Sequence, residues 1–129
     1  MPTPIPEKAN KAAKHVVDAA FAVHKTLGPG LLEGAYEICM VHELSKRGSK
    51  VRRQVVVPVV YDGVKIDAGF RVDLLIDDCL VVELKAVEVL LPVHEAQILT
   101  YLKLIGIRLG LLVNFNVYGL RKGIKRIVH

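Results

Sequence analysis

The chain has 129 residues, 52% of them hydrophobic and 24% charged, with a net charge of +5. That is enough chain for one core and too little for two, and the composition excludes a disordered protein. No apolar run reaches the roughly 18 residues of a membrane span, and Lys103 and Arg108 interrupt the longest one, so no membrane partner is expected.

The N-terminus, MPTPIPEKANKAAKH, lacks the apolar centre of a secretory signal, and a cytoplasmic protein is expected. Cys39 and Cys79 stand in apolar contexts without metal-type spacing and read as reduced core residues. The positive charge is skewed: no Asp or Glu follows Glu95, whereas Lys103, Arg108, Arg121, Lys122, Lys125 and Arg126 do. Such a face suits a polyanion such as nucleic acid, although on charge alone a solvated basic surface is the simpler reading.

In chain order, Glu7 to Leu27 carries Val16, Ala20, Val23 and Leu27 at helical spacing, and Gly28-Pro29-Gly30 ends that helix. A second helix is expected from Leu31 to about Arg47, stopped by Gly48. Val51 to Tyr61 is β-branched and strand-like, with Pro58 arguing for an edge position or a bulge. Asp62-Gly63 signals a hairpin turn, and strands are expected over 64–76 and 80–88. Pro92 opens a helix over Val93 to Ile105 that Gly106 closes. Leu109 to Asn114 is a short apolar strand, and Leu120 to Val128 is a candidate for another. No repeat, low-complexity tract or linker divides the chain, so residues 1–129 are expected to form one domain. The order α-α-β-β-β-α-β, with the last strand optional, predicts an α/β (α+β) fold, a mixed sheet flanked by helices.

One stretch resists a purely structural account. Asp77 to Val87, "DDCLVVELKAV", has the texture of a buried strand, yet Glu83 and Lys85 sit inside it. In a strand Val82, Leu84 and Ala86 face one way, and Val81, Glu83, Lys85 and Val87 the other. The preceding strand alternates as well, with Phe70, Val72, Leu74 and Ile76 apolar and Arg71, Asp73, Leu75 and Asp77 opposite. A three-residue turn over Asp77 to Cys79 pairs Ile76 with Leu80, Leu74 with Val82 and Val72 with Leu84, which unites the apolar faces. Asp73 then lies across from Glu83, and Arg71 from Lys85. Facing carboxylates repel. A divalent cation between them would remove the repulsion, and all-oxygen donors without Cys or paired His point to magnesium or manganese. Lys85 and Arg71 neutralising the pair in a structural ion cluster fits strand physics equally well.

Asp73 followed by Glu83-Leu84-Lys85 resembles the D…(D/E)xK signature of the PD-(D/E)XK nuclease superfamily, although Val72 stands where the superfamily's name has Pro. Gly30-Leu31-Leu32-Glu33-Gly34-Ala35-Tyr36 resembles the defining motif of its GxxExxY family, and Gln97-Ile98-Leu99-Thr100-Tyr101 the QxxxY motif of RecB-type and lambda-exonuclease-type members. The similarity runs from about Val16 to Val128. It implies a restriction-endonuclease-like core and a metal-dependent nuclease cutting phosphodiester bonds, most readily in DNA, with Mg²⁺ or Mn²⁺ as cofactor. By that resemblance Asp73 and Glu83 match metal ligands, with the Leu84 carbonyl and Glu33 as further ligands, and Lys85 matches the catalytic lysine.

Gln97 and Tyr101 share a helix face with His94 and match substrate-holding residues, while Lys122 and Lys125 would grip phosphates. Tyr36 completes the GxxExxY motif, and Gln54 is a candidate cleft residue. His24 matches a histidine that some RecB-type relatives place near the metal, but its position by an apolar stripe reads more simply as a core histidine. Small members of the superfamily often act as homodimers or inside larger assemblies. The rival reading is a non-catalytic nucleic-acid- or protein-binding module on the same fold, against which the intact Asp-Glu-Lys set argues.

Overall fold

The two most fully buried strands, Leu80–Lys85 and Leu109–Asn114, are neighbours inside the sheet of the computed structural model, which describes residues 3–67 and 69–129. The elements are α1 (Glu7–Leu27), α2 (Glu33–Lys46), β1 (Val51–Val56), β2 (Val59–Tyr61), β3 (Val64–Ile66), β4 (Arg71–Ile76), β5 (Leu80–Lys85), α3 (Pro92–Ile105), β6 (Leu109–Asn114), a 3₁₀ turn (Leu120–Gly123) and β7 (Ile124–Val128). A five-stranded sheet runs β1-β4-β5-β6-β7, and β2 pairs with β3 in a separate hairpin. β5 and β6 pair in parallel, as the α3 crossover demands, whereas β1–β4, β4–β5 and β6–β7 are antiparallel. The expected α+β architecture, a mixed sheet flanked by helices, is the observed one.

Helices cover both faces of the sheet. α1 and α2 set Val16, Ala20, Tyr36, Met40 and Leu44 against Leu74, Ile76, Val82, Leu84 and Val113. α3 sets Ile98, Tyr101 and Leu102 against Val72, Leu75 and Val81 on the other side. Among the described residues no helix is long and apolar enough to cross a membrane.

Several expected boundaries move, each for a local reason. The strand foreseen over Val51 to Tyr61 divides into β1 and β2 at Val57-Pro58. Pro58 has no N–H to give a ladder, and Val57 N–H turns to Phe70 O at 2.9 Å. The strand foreseen over 64–76 divides into β3 and β4, and Ala68 within it lies outside the described residues. The hairpin at Asp62-Gly63 forms, with φ of 50° and 73°, as a tight two-residue turn requires. β5 stops at Lys85 short of the expected residue 88, because Asn114 Oδ1 and Nδ2 take the N–H and C=O of Val87 at 3.1 and 2.9 Å. α2 begins at Glu33 after an extended Leu32, and the last candidate strand resolves into the 3₁₀ turn followed by β7.

The end of β6 is packed against that turn so closely that a Cβ on Gly123 would stand 2.2 Å from Asn114 O. A backbone oxygen cannot rotate away, so Gly123→Ala is expected to destabilise by about 3 kcal/mol, the upper part of the usual range for overpacking. Urea unfolding of the two proteins measures this; an unchanged midpoint would mean that the turn moves aside without cost.

Candidate active site

The β4–β5 register is Leu74↔Val82, Leu75↔Val81 and Ile76↔Leu80, the pairing that alternation implies. Asp77 and Asp78 close the turn in left-handed conformations, φ 50° and 55°, where aspartate is better tolerated than most residues. The ladder then gives way to side chains. Asp73 N–H donates to Glu83 Oε1 at 3.0 Å, and Leu84 N–H donates to Asp73 Oδ2 at 2.8 Å. Each carboxylate therefore accepts a backbone N–H of the opposite strand, and the two acids interlock across the pair. It is the Leu84 N–H, on the backbone proposed for metal ligation through its carbonyl, that meets Asp73.

One expected pairing fails. Val72 packs with Leu75, Val81 and Tyr101 beneath α3, not with Leu74 and Leu84 beneath α1 and α2. The cause is Gln54, whose φ of 49° is left-handed. The β1–β4 pairing runs from Val51↔Ile76 to Arg53↔Leu74 and resumes at Val55↔Val72, leaving out Gln54 and Asp73. The rotation resets the alternation there, so that Val51 packs on one face of the sheet and Val55 on the other.

Glu83 is 5% exposed and Asp73 half-buried. Burial, and next the charge of Asp73, pushes the Glu83 carboxyl up to about 8. Burial likewise raises Asp73, with the Leu84 N–H opposing it. Among the described residues no Lys or Arg makes an ion pair with either acid within 4.0 Å. Lys85, half-buried at the end of β5, acts on both only through the field of its charge. Arg71 points elsewhere, donating to Gln54 O at 3.4 Å. The pair is thus not neutralised as a structural ion cluster.

A second tier holds Asp73 from the α2 side. Gln54 Nε2 donates to Glu37 Oε1 at 2.7 Å and, at a longer 3.4 Å, to Asp73 Oδ1. Arg53 Nε and Nη2 both donate to Glu37 Oε2, at 3.2 and 2.7 Å, and Glu37 is only 8% exposed. Nothing in the sequence singles out Glu37 and Arg53 except that Glu37 stands one helical turn after Glu33. Asn114, a polar residue ending an apolar strand, carried the same kind of signal as Glu83.

Glu33 is the first residue of α2, and its Oε1 accepts Ala86 N–H at 3.4 Å, just past β5. It is not brought together with Asp73 and Glu83: among the described residues no three His, Cys, Asp or Glu side chains form a group able to hold an ion. Tyr36 is fully buried and stacks on Phe115 at 4.4 Å. Its hydroxyl donates to Gly28 O at 2.6 Å and accepts Leu31 N–H at 3.2 Å, which clamps the loop leading to Glu33. Gly30 in that loop has φ 107°, open only to glycine. His24 Nε2 donates to Val117 O at 2.7 Å, tying α1 to the segment after β6.

On α3, Gln97 is half-buried and Tyr101 nearly buried, its hydroxyl raised first by burial and then by the charges of Glu83 and Asp73. His94 Nδ1 accepts Leu91 N–H at 3.0 Å and so serves the start of that helix. Lys122 and Lys125 are exposed. Leu112 pairs with both Glu83 and Lys125, which places Lys125 on the row of Glu83 two strands away, roughly 10 Å at the usual strand spacing.

Without metal, the elevated carboxyl of Glu83 has a consequence for stability. Its ordinary value is 4.5 and its folded value about 8, so the folded state binds the extra proton between them. The stability this group contributes is complete below its ordinary value and is lost as pH rises toward about 8. Thermal melts in EDTA are expected to show wild-type stability falling over that window, and Glu83→Gln is expected to fall less. Parallel pH profiles would show that Glu83 ionises as easily folded as unfolded.

A family model described as the PD-(D/E)XK nuclease superfamily matches residues 10–127. Neither the comparison with curated proteins nor that with solved structures returned a match. The match spans both interlocked acids, the lysine after them and nearly every element of the fold, and the chain belongs to the PD-(D/E)XK nuclease superfamily.

Proposed function

We propose that the protein is a metal-dependent nuclease that hydrolyses phosphodiester bonds in DNA, acting in the cytoplasm, and a member of the GxxExxY family through Gly30, Glu33 and Tyr36. The observation that carries this reading is the interlock of Asp73 and Glu83, with Lys85 two residues after Glu83 and, among the described residues, no cation within ion-pair distance of either acid.

The donor set fits a hard divalent cation. Both acids offer oxygen, each has one oxygen fixed by a backbone N–H, and each resists ionising beside the other, a resistance that a cation relieves. Two carboxylates suit Mg²⁺ or Mn²⁺, which keep several waters and take remaining ligands from substrate phosphate. Nucleases of this superfamily typically use divalent metals. When bound, such an ion supplies Lewis-acid polarisation of the phosphate and acidifies a water.

The chain's own residues do the rest. Asp73 and Glu83 would hold the ion, with the Leu84 carbonyl as a further donor, whereas Glu33, turned to Ala86 N–H, would have to leave that bond to join them. Lys85 orients the attacking water and offsets the charge that grows on the phosphate oxygens. Glu37 and Arg53 keep Gln54 against Asp73, limiting the rotation of that carboxylate. Gln97 and Tyr101 border the site from α3, and Lys122 and Lys125 bind flanking phosphates, which makes affinity salt-dependent.

Two measurements test the reading. Mn²⁺ is expected to raise the melting temperature of wild type by mass action, and Asp73→Asn to abolish the rise; identical melts with and without metal would leave the paired acids without a cation. Lys85→Met keeps the packing of the stem and removes the charge. Single-turnover cleavage of DNA is expected to slow by roughly 10²–10³-fold in that variant, the usual cost of losing one transition-state donor, with DNA affinity nearly unchanged. A wild type that binds DNA but cuts none with either metal would assign the fold to a binding module.

A further inference from the structure

An apolar recess of about 400 Å³ lies between α3 and the segment leading into β4. Phe70 and Val59 form one wall, and Gln97, Thr100, Tyr101 and Leu104 lie along the other. The Phe70 and Tyr101 ring centroids are 6.2 Å apart, tilted by 49°. Phe70 is 46% exposed, an unusual placement for one of only three phenylalanines in the chain. Tyr101 is common to the recess and the acids: its ring lines the cavity, and its hydroxyl feels the charges of Glu83 and Asp73.

The chemistry of this recess is selective. Its walls are apolar and aromatic, and Gln97 and Thr100 are the residues among its lining that carry an amide and an aliphatic hydroxyl. Arg71, exposed, follows Phe70 directly. Phe70 precedes Asp73 by three residues, roughly 10 Å along an extended chain, so an occupant lies within about one nucleotide of the acids. A flat ring that stacks on Phe70 while its edge meets an amide and a hydroxyl has the form of a nucleobase. A base inside a duplex has both faces stacked and its edge paired, and enters such a slot only when unpaired. The chain carries a net charge of +5, which suits a polyanion as the occupant and disfavours a second copy of this chain.

We propose that the recess between Phe70 and α3 binds one unpaired nucleobase, stacked on Phe70, and so selects single-stranded or frayed DNA and threads it over Asp73 and Glu83. The proposal deepens the nuclease reading, on which its orientation rests, but its test needs no cleavage. Affinity is measured by fluorescence anisotropy, with Ca²⁺ replacing Mg²⁺, on three probes: a labelled oligothymidylate, the same strand carrying abasic sites, and a blunt duplex. The intact strand is expected to bind about tenfold more tightly than the abasic one, and Phe70→Ala to lose about tenfold on the intact strand only, the usual effect of removing one stacking partner. Phe70→Tyr is expected to restore it. Phe70→Leu keeps the apolar wall, so it separates loss of the stack from loss of the fold, and melting curves accompany each variant. Photo-crosslinking of 5-iododeoxyuridine in the strand is expected to mark the peptide of Phe70 or Tyr101.

Unchanged affinity in Phe70→Leu would overturn the proposal, as would an equal loss on strand and duplex. Sedimentation showing a wild-type dimer that Phe70→Ala dissociates would make the recess an interface between copies and overturn it too. A wild type that stacks the strand as described but cuts nothing with Mg²⁺ or Mn²⁺ would sink the nuclease reading and leave the recess standing. Cleavage by wild type with Phe70 variants indifferent to strandedness would do the opposite.

Discussion

The sheet is organised around one frustrated contact, the meeting of Asp73 and Glu83 where the β4–β5 ladder ends. Two acids in an apolar setting repel each other and resist ionisation, and both effects raise their affinity for protons. The backbone compensates in part, since each acid receives one N–H from the opposite strand. Those two bonds also fix the acids in relation to each other, because neither carboxylate can turn without freeing a buried N–H. Geometry and frustration have the same origin, and the proposed cation site rests on both.

Around that contact the fold places supports from three directions. From α2, Glu37 holds Gln54 and Arg53, and Gln54 reaches Asp73. From β6, Asn114 clasps both backbone groups of Val87, which ends β5 just after Lys85 and sets where the chain leaves the site. From the loop before α2, the Tyr36 hydroxyl bridges Gly28 and Leu31, so that the helix begins with Glu33 facing the end of β5. The tyrosine of the GxxExxY pattern is therefore explained by loop closure in this fold, and its glutamate by where that loop delivers the helix.

What could be read in the sequence depended on whether a single physical rule decided it. The β4–β5 register was legible because one pairing alone unites Leu74, Ile76, Leu80 and Val82 on a common face. The crossover by α3 was legible for a similar reason, an apolar strand following a bounded helix. The face of Val72 was not, because it depends on the left-handed turn of the backbone at Gln54, a residue type that does not announce such a conformation. The breaks that divide two strands around the β2–β3 hairpin were only half legible, through Pro58. Glu37 was hidden because a glutamate on a helix is normally a solvated one, and its burial depends on Arg53 arriving from a strand distant in sequence. Whether Glu33 joins the acids was a matter of family resemblance, and the observed geometry directs it to Ala86 N–H.

A fold can hold such a contact only if its neighbours supply the stability that the acids withhold. Leu80, Val81, Val82 and Leu84, which share β5 with Glu83, are each at most 1% exposed. Burying a side chain of this kind contributes about 1.5–3 kcal/mol, so the four together exceed the several kcal/mol that one buried charge costs in a relaxed protein. Placing the acid within the best-packed strand, rather than in a loop, keeps its position fixed despite the penalty. It also explains why Lys85 stands where it does. One residue earlier the side chain would enter the apolar layer under α1 and α2; at the end of the strand it emerges half-buried, near enough for its charge to oppose the rise of both acids, as its proposed role requires.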